Sequence, residues 1–242
     1  MTVLEICVDD VEGAQLAEQA GADRVELCCA LGEGGLTPSS GLVREVLRCT
    51  DRVGVRVLVR PRGGDFVYSP PEVDVMVADV RALTALGDAR LGLVVGALTP
   101  DGAVDTATTR RLLSAAGDAE VTVHRAFDST ADLGRALEDL VALGVPRVLT
   151  SGGRPTAAAG ADVLGGLVRQ AAGRISVMAG GSVRPGNVGE LVARTGVGEV
   201  HLRAAEPVPS ASRHVDPALP YDSGSRLRTS AAVVRAVREA LG

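Results

Sequence analysis

A closed barrel of eight parallel strands and eight helices, (β/α)₈, is the fold that this sequence predicts, and three observations predict it. Strand-like and helix-like segments alternate along the whole chain. The 242 residues are close to the roughly 250 that such barrels use. Polar residues recur at one parity of strand-like segments from both ends of the chain, which asks for a shared interior. An open doubly wound sheet would also give the alternation, but its strands from opposite ends would not converge.

The strand-like segments, in order, are 3–7, 24–28, 55–60, 91–96, 121–124, 147–151, 175–179 and 199–202. Parallel strands buried on both faces normally read as near-continuous apolar runs. Here one face is spent on ionisable groups: Glu5 and Cys7, Glu26 and Cys28, Arg60 and then Arg62, His124, and His201 between Val200 and Leu202. Amphipathic stretches near 10–20, 39–49, 71–86, 105–116, 130–143, 156–172, 185–195 and 227–241 supply the helices. Asp9-Asp10, Ser39-Ser40, Asp105 and Ser129-Thr130 stand where N-caps belong. Gly21, Gly87, Gly117, Gly144, Gly173 and Gly196 stand where helices stop, and Pro71 and Pro185 suit first turns. No linker breaks the chain, so one domain over 1–242 is expected. The stretch 204–226, with Pro207, Pro209, Pro217 and Pro220, reads as an irregular lid or interface loop after the eighth strand.

Composition narrows the function. All 25 basic residues are arginine, so lysine Schiff-base chemistry, and with it lysine-dependent aldolases and pyridoxal-phosphate enzymes, is excluded. A net charge of −5 with 2% aromatic residues argues against nucleic-acid binding, which uses basic surfaces and stacking rings. No apolar run is long enough to span a membrane, and the start of the sequence has no export signature. The cytosol is the expected address, with Cys7, Cys28, Cys29 and Cys49 reduced. No signature of a nucleotide cofactor is present.

Barrel sites lie at the C-terminal strand ends, and three groups of residues converge there. Cys7 and Cys28 end adjacent strands, as ligands of a soft metal ion or as small buried apolar residues. Glu5 and Glu26 sit two residues deeper, where buried carboxylates need partners; Arg60 is the expected partner, and Glu26 is also a candidate proton carrier. His124 is a candidate general acid or base, with Asp128 just beyond it to fix its tautomer. Arg60 and Arg62, the pairs Gly152-Gly153 and Gly180-Gly181, and His201 with Arg203 are expected to form an anion pocket; tight βα turns explain the glycines equally well.

The words EIC (5–7), ELC (26–28), EGGLTPS (33–39), RPRGGDF (60–66), GALT (96–99), HRAFD (124–128), RVLTSGG (147–153) and MAGGSVRP (178–185) together resemble the CutC family of copper homeostasis proteins. The resemblance runs from residue 3 to about 204. It implies a cytoplasmic (β/α)₈ barrel that assembles into dimers or larger homo-oligomers and handles Cu(I) through cysteines, here Cys7 and Cys28. Against dedicated copper carriage, the chain has three Met residues and no Cys-x-x-Cys segment. Two functions stay open from sequence: a Cu(I)-binding protein of copper homeostasis, and a lyase or isomerase acting on a small anionic or phosphorylated metabolite.

Overall fold

The computed structural model of the chain describes residues 1–214, 216 and 223–242. Eight strands, β1 (Val3–Val8), β2 (Arg24–Leu27), β3 (Gly54–Leu58), β4 (Leu91–Val95), β5 (Val121–Val123), β6 (Arg147–Thr150), β7 (Ser176–Gly180) and β8 (Glu199–Leu202), pair in chain order. All the pairings are parallel, and β8 returns to β1 to close the cylinder, setting Glu5 opposite His201. Between the strands run α1 (Val11–Gln19), α2 (Ser40–Cys49), α3 (Pro70–Thr84), α4 (Thr106–Ala116), α5 (Leu133–Ala142), α6 (Ala161–Ala171) and α7 (Pro185–Thr195). The last helix, α8 (Ala231–Leu241), ends the chain. The predicted (β/α)₈ barrel is the observed one.

Local chemistry explains most of the boundaries. The Asp10 carboxylate caps α1 at Gly13 N, Ser39 Oγ accepts from Leu42 N at 3.2 Å, and Asp105 accepts from Thr108 N at 2.9 Å. Helix α7 stops at Gly196, whose φ of 73° places it in the left-handed region. Three helix starts differ from expectation. Helix α6 begins at Ala161 instead of near 156, because residues 156–160 form a bend and turns. Ser129 ends a 3₁₀ turn over Arg125–Ser129, so α5 is capped by Asp132 instead of Ser129-Thr130. The last helix begins at Ala231, because Ser225–Thr229 forms a strand, β10, paired antiparallel with β9 (Ala205–Pro209).

That ribbon corrects the expected irregular loop over 204–226. Its second strand leans on α1, where Arg228 pairs with Glu12 and Thr229 packs within van der Waals range of Gly13. Pro217 and Pro220 lie outside the described residues.

Two cores share each strand. Outward residues such as Leu4, Ile6, Val25, Leu27, Val55, Val57 and Val200 pack under the helices and are wholly buried. The inward residues form a separate small cluster of Cys7, Cys28, Leu58 and Val94 above a floor of charge. In that floor Glu199 accepts from Arg147 Nε at 2.6 Å and Ser176 Oγ at 2.7 Å, and also from Arg24. Arg24 reaches Glu5 at 2.9 Å, and Arg56 pairs with Glu120. Paired in this way, charges can remain in a barrel lumen without the cost of an isolated buried ion.

Candidate functional site

The thiols come first in the chain and stand at the mouth. Cys7 near the end of β1 and Cys28 just past β2 point inward with Sγ atoms 3.6 Å apart, 7% and 1% exposed. The hydrogen bond between the Cys7 and Cys28 thiols, together with burial, pushes the Cys7 thiol well above its ordinary range. Cys29 points the other way: its backbone bridges to Leu36 and its Sγ meets Thr37 O at 3.2 Å. Cys49 ends α2, away from the mouth.

Below the thiols His201 sits between two carboxylates. Its Nδ1 is 2.9 Å from Glu5 Oε1 and its Nε2 3.7 Å from Glu26 Oε2. Burial by itself would make the imidazole less basic. The charge of Glu26 and the bonds to Cys7 and Glu5 outweigh it, so His201 stays protonated well above its ordinary value. Burial likewise would raise Glu5, but the bond and charge of His201 and then Arg24 hold its carboxyl at about 2. Glu26 gains less: burial raises it, and His201 only partly offsets that. One ligand atom each from Cys7, Glu26 and His201 lies within 4.8 Å of the others.

The expected Arg60–carboxylate pairing does not form. The Arg60 guanidinium is caught by the loop after β2, donating from Nη1 to Glu33 O at 2.8 Å and Gly35 O at 3.0 Å. Its Nη2 donates to Gly64 O at 2.8 Å. Glu5 takes Arg24 and His201 instead, because barrel closure brings those strands beside β1.

His124 is placed differently from expectation too. Its Nδ1 accepts from Ala126 N at 3.0 Å, which leaves the ring proton on Nε2. Burial, then the charge of Arg60, lowers its pKa to about 3. At neutral pH it is therefore a fixed hydrogen-bond donor rather than a proton carrier. Asp128 does not touch it. That carboxylate accepts from Thr150 Oγ1, Ser151 N and Gly153 N in the loop after β6, and from Arg125 at 2.7 Å. The β6 loop thus has its own anion, so the backbone of Gly153 has no free donor for another. Gly152 N is likewise taken by Thr150 Oγ1 at 2.9 Å.

Arg62 and Arg203 of the expected anion pocket are engaged elsewhere. Arg62 is bound by Asp65 and Val67 O of its own loop and by Glu72 in the first turn of α3, over the Tyr68 ring. Arg203 stands on the rim, 3.7 Å from Asp9. Gly180 gives room to Leu149 and His201, and Gly181 O accepts from Ala157 N at 2.9 Å. What the structure does bring together is a cavity of ≈ 160 Å³ lined by Cys7, Glu26, Arg60, Phe66, His124 and His201, among others. Phe66 escaped the sequence reading. Its ring lies 5.0 Å under the Arg60 guanidinium and 5.1 Å from the His124 ring, fixing both. Arg24, Arg147 and Glu199 were missed as well, although Arg24 shares the parity of Glu26 and Cys28 and carries the same signal.

Gly96 makes the His124 position possible: a methyl there would lie 2.5 Å from Cε1 and 2.7 Å from Nδ1 of the ring. Gly96→Ala is expected to turn the imidazole off Ala126 N and cost about 1–3 kcal/mol. Urea unfolding followed by circular dichroism, with the His124 ring resonances, checks this; unchanged resonances would contradict it.

The model of the CutC family matches residues 2–206. A family protein CutC of Xylella fastidiosa is 50% identical over 214 residues, 88% of this chain and 78% of the relative. One from Chromobacterium violaceum is 45% identical over 244 residues, covering 99% of this chain and 98% of the relative. A crystal structure from Streptococcus agalactiae, described as a copper homeostasis protein CutC, superposes with a TM-score of 0.79. It shares 33% identity and covers 83% of this chain and 98% of that one. Phosphoribosylanthranilate isomerase from Thermotoga maritima, with 12% identity and a TM-score of 0.57, shares the fold alone.

Proposed function

The chain belongs to the CutC family, and on that premise we propose that it is a cytosolic Cu(I)-binding protein of copper homeostasis, with the ion as cargo. The observation that carries this reading is the Cys7–Cys28 pair, two inward thiols 3.6 Å apart at the barrel mouth. Thiolates are soft donors that select Cu(I) over hard cations. The fit to the donor set is good: two sulfurs from adjacent strands, with Glu26 and His201 alongside Cys7. The surrounding apolar residues Leu58 and Val94 shield the pair from water. Both thiols must lose their protons to bind, so uptake releases protons and strengthens as pH rises. The near-complete burial of both sulfurs favours retention over rapid exchange with solvent thiols.

Competition against a colorimetric Cu(I) chelator under anaerobic conditions tests the reading. The wild-type chain is expected to take one Cu(I). The Cys7→Ser, Cys28→Ser double variant is expected to lose roughly two orders of magnitude of affinity, and Cys49→Ser none. Equal affinity in the double variant and the wild type would end the proposal.

A further inference from the structure

Three strands that lie side by side each send one donor toward a common point. Cys7 of β1 is the registered partner of Glu26 of β2, and His201 of β8 is the partner of Glu5, one inward position below Cys7. The Cys7 Sγ, a Glu26 oxygen and a His201 ring nitrogen all lie within 4.8 Å of one another, and the three residues line the same cavity of ≈ 160 Å³. A tetrahedral zinc sphere spaces its sulfur, nitrogen and oxygen donors roughly 3.3–3.6 Å apart. The separation of His201 Nε2 and Glu26 Oε2 is 3.7 Å. Strand register holds all three donors, which is firmer support than loops give.

The surroundings are those of a metal ligand set. His201 Nδ1 meets Glu5 Oε1 at 2.9 Å, and Glu5 is held in turn by Arg24 Nε at 2.9 Å. A carboxylate behind one ring nitrogen is the common support of a metal-bound imidazole, because it fixes the ring and leaves the other nitrogen facing the ion. Glu26 is 7% exposed, yet among the described residues no arginine pairs with it; its contacts are the Cys7 thiol and His201. Glu5 and Glu199, the carboxylates of the floor, each have an arginine. In ligating form, one thiolate and one carboxylate neutralise a divalent ion, whereas a monovalent ion would leave a surplus negative charge buried. Cys28 stands outside the group, with its Sγ on Val8 O at 3.6 Å. We propose that Cys7, Glu26 and His201 form a binding site for a divalent cation of the Zn(II) class, with the fourth coordination position open to the cavity. Three protein ligands and one open position is the arrangement by which zinc binds or polarises a small molecule. The site shares Cys7 with the thiol pair, so the two ions exclude one another, but it does not rest on the copper reading.

Reduced, metal-free protein titrated with Zn(II) against a colorimetric zinc chelator is expected to take one ion per chain. Glu26→Gln and His201→Gln, each checked for fold by circular dichroism, are expected to bind Zn(II) at least about tenfold more weakly, and Cys28→Ser as tightly as the wild type. Should His201→Gln fail to fold, the nearly isosteric Glu26→Gln carries the test. Co(II) in place of Zn(II) is expected to give the visible bands of tetrahedral coordination and a near-ultraviolet thiolate band that Cys7→Ser removes. Azide is expected to shift the visible bands by entering the open position. Cu(I) competition is expected to respond in the opposite sense, weakened by Cys28→Ser and kept by Glu26→Gln, so failure of either reading is seen apart from the other. No Zn(II) uptake by the wild type, affinity lost in Cys28→Ser but kept in Glu26→Gln, a Co(II) spectrum without the thiolate band, or bands indifferent to azide would overturn the proposal.

Discussion

Glu199→Ala is expected to lower the unfolding free energy by about 3–5 kcal/mol, the cost of leaving buried charges without their partner. Glu199 is 8% exposed and joins Arg24, Arg147 and Ser176 at the floor of the barrel. Burial would raise its carboxyl, but the bond from Arg147 and then the charge of Arg24 hold it below the ordinary range, so it is charged at neutral pH. Its removal strands Arg147, whose next nearest carboxylate, Glu120, is 3.7 Å away and half-exposed. Arg24 keeps Glu5 at 2.9 Å, which places the loss nearer the lower end of the range. Urea unfolding by circular dichroism suits a chain without tryptophan. The Arg147→Met, Glu199→Leu double variant should recover much of the loss, since an apolar pair replaces an ion pair without leaving a lone charge. A loss below about 1 kcal/mol in Glu199→Ala would show that the floor is solvated rather than dry.

The second large effect is an acid-side loss of stability that runs through His124. Its pKa is lowered from 6.5 to about 3 in the folded chain, by burial and then by Arg60. Between those values the unfolded chain binds a proton that the folded one refuses. The His124 contribution is therefore whole above pH 6.5 and is lost as pH falls toward 3. From pH 6.5 down to 4.5 that amounts to on the order of 2–3 kcal/mol. Other groups add known signs. Glu5, lowered from 4.5 to about 2, contributes stability that is lost only below 4.5. His201, raised above 6.5, contributes stability that is lost as pH rises beyond that value. Glu26, raised above 4.5, favours the folded state on the acid side of its own titration. Comparison with His124→Asn, whose side chain can still accept from Ala126 N, cancels those shared contributions. The wild-type stability should fall relative to the variant as pH drops from 6.5 to 4.5. Parallel curves across that range would contradict the neutral assignment of His124.

Much of the candidate site is legible in the order of residues, because strand side chains alternate and that alternation is local. Glu5, Cys7, Glu26, Cys28 and His201 occupy inward positions that period two alone assigns, and the structure places them there. The same rule fails once the strand ends. β3 stops at Leu58, so Arg62 follows its loop into the embrace of Glu72 and Asp65, and parity has no meaning for it. His124 and Asp128 are four residues apart in sequence, yet a 3₁₀ turn and the free amides of the β6 loop draw the carboxylate away. Arg60 is diverted by carbonyls of the Gly34-Gly35 turn, a feature that carries no charge and leaves no mark in composition.

The sequence by itself determined the barrel, the thiols at its mouth and the absence of lysine chemistry, since periodicity, spacing and residue type are properties of short segments. Only the tertiary structure decided the partners: His201 with Glu5 across 196 residues, Arg24 and Arg147 on one Glu199, and Arg60 and His124 with donors left over. Which charge meets which depends on the register of strands joined when the cylinder closes, and on loop carbonyls competing for the same donors. Both are set by the whole chain at once, and energies of a few kcal/mol between alternative pairings are enough to choose.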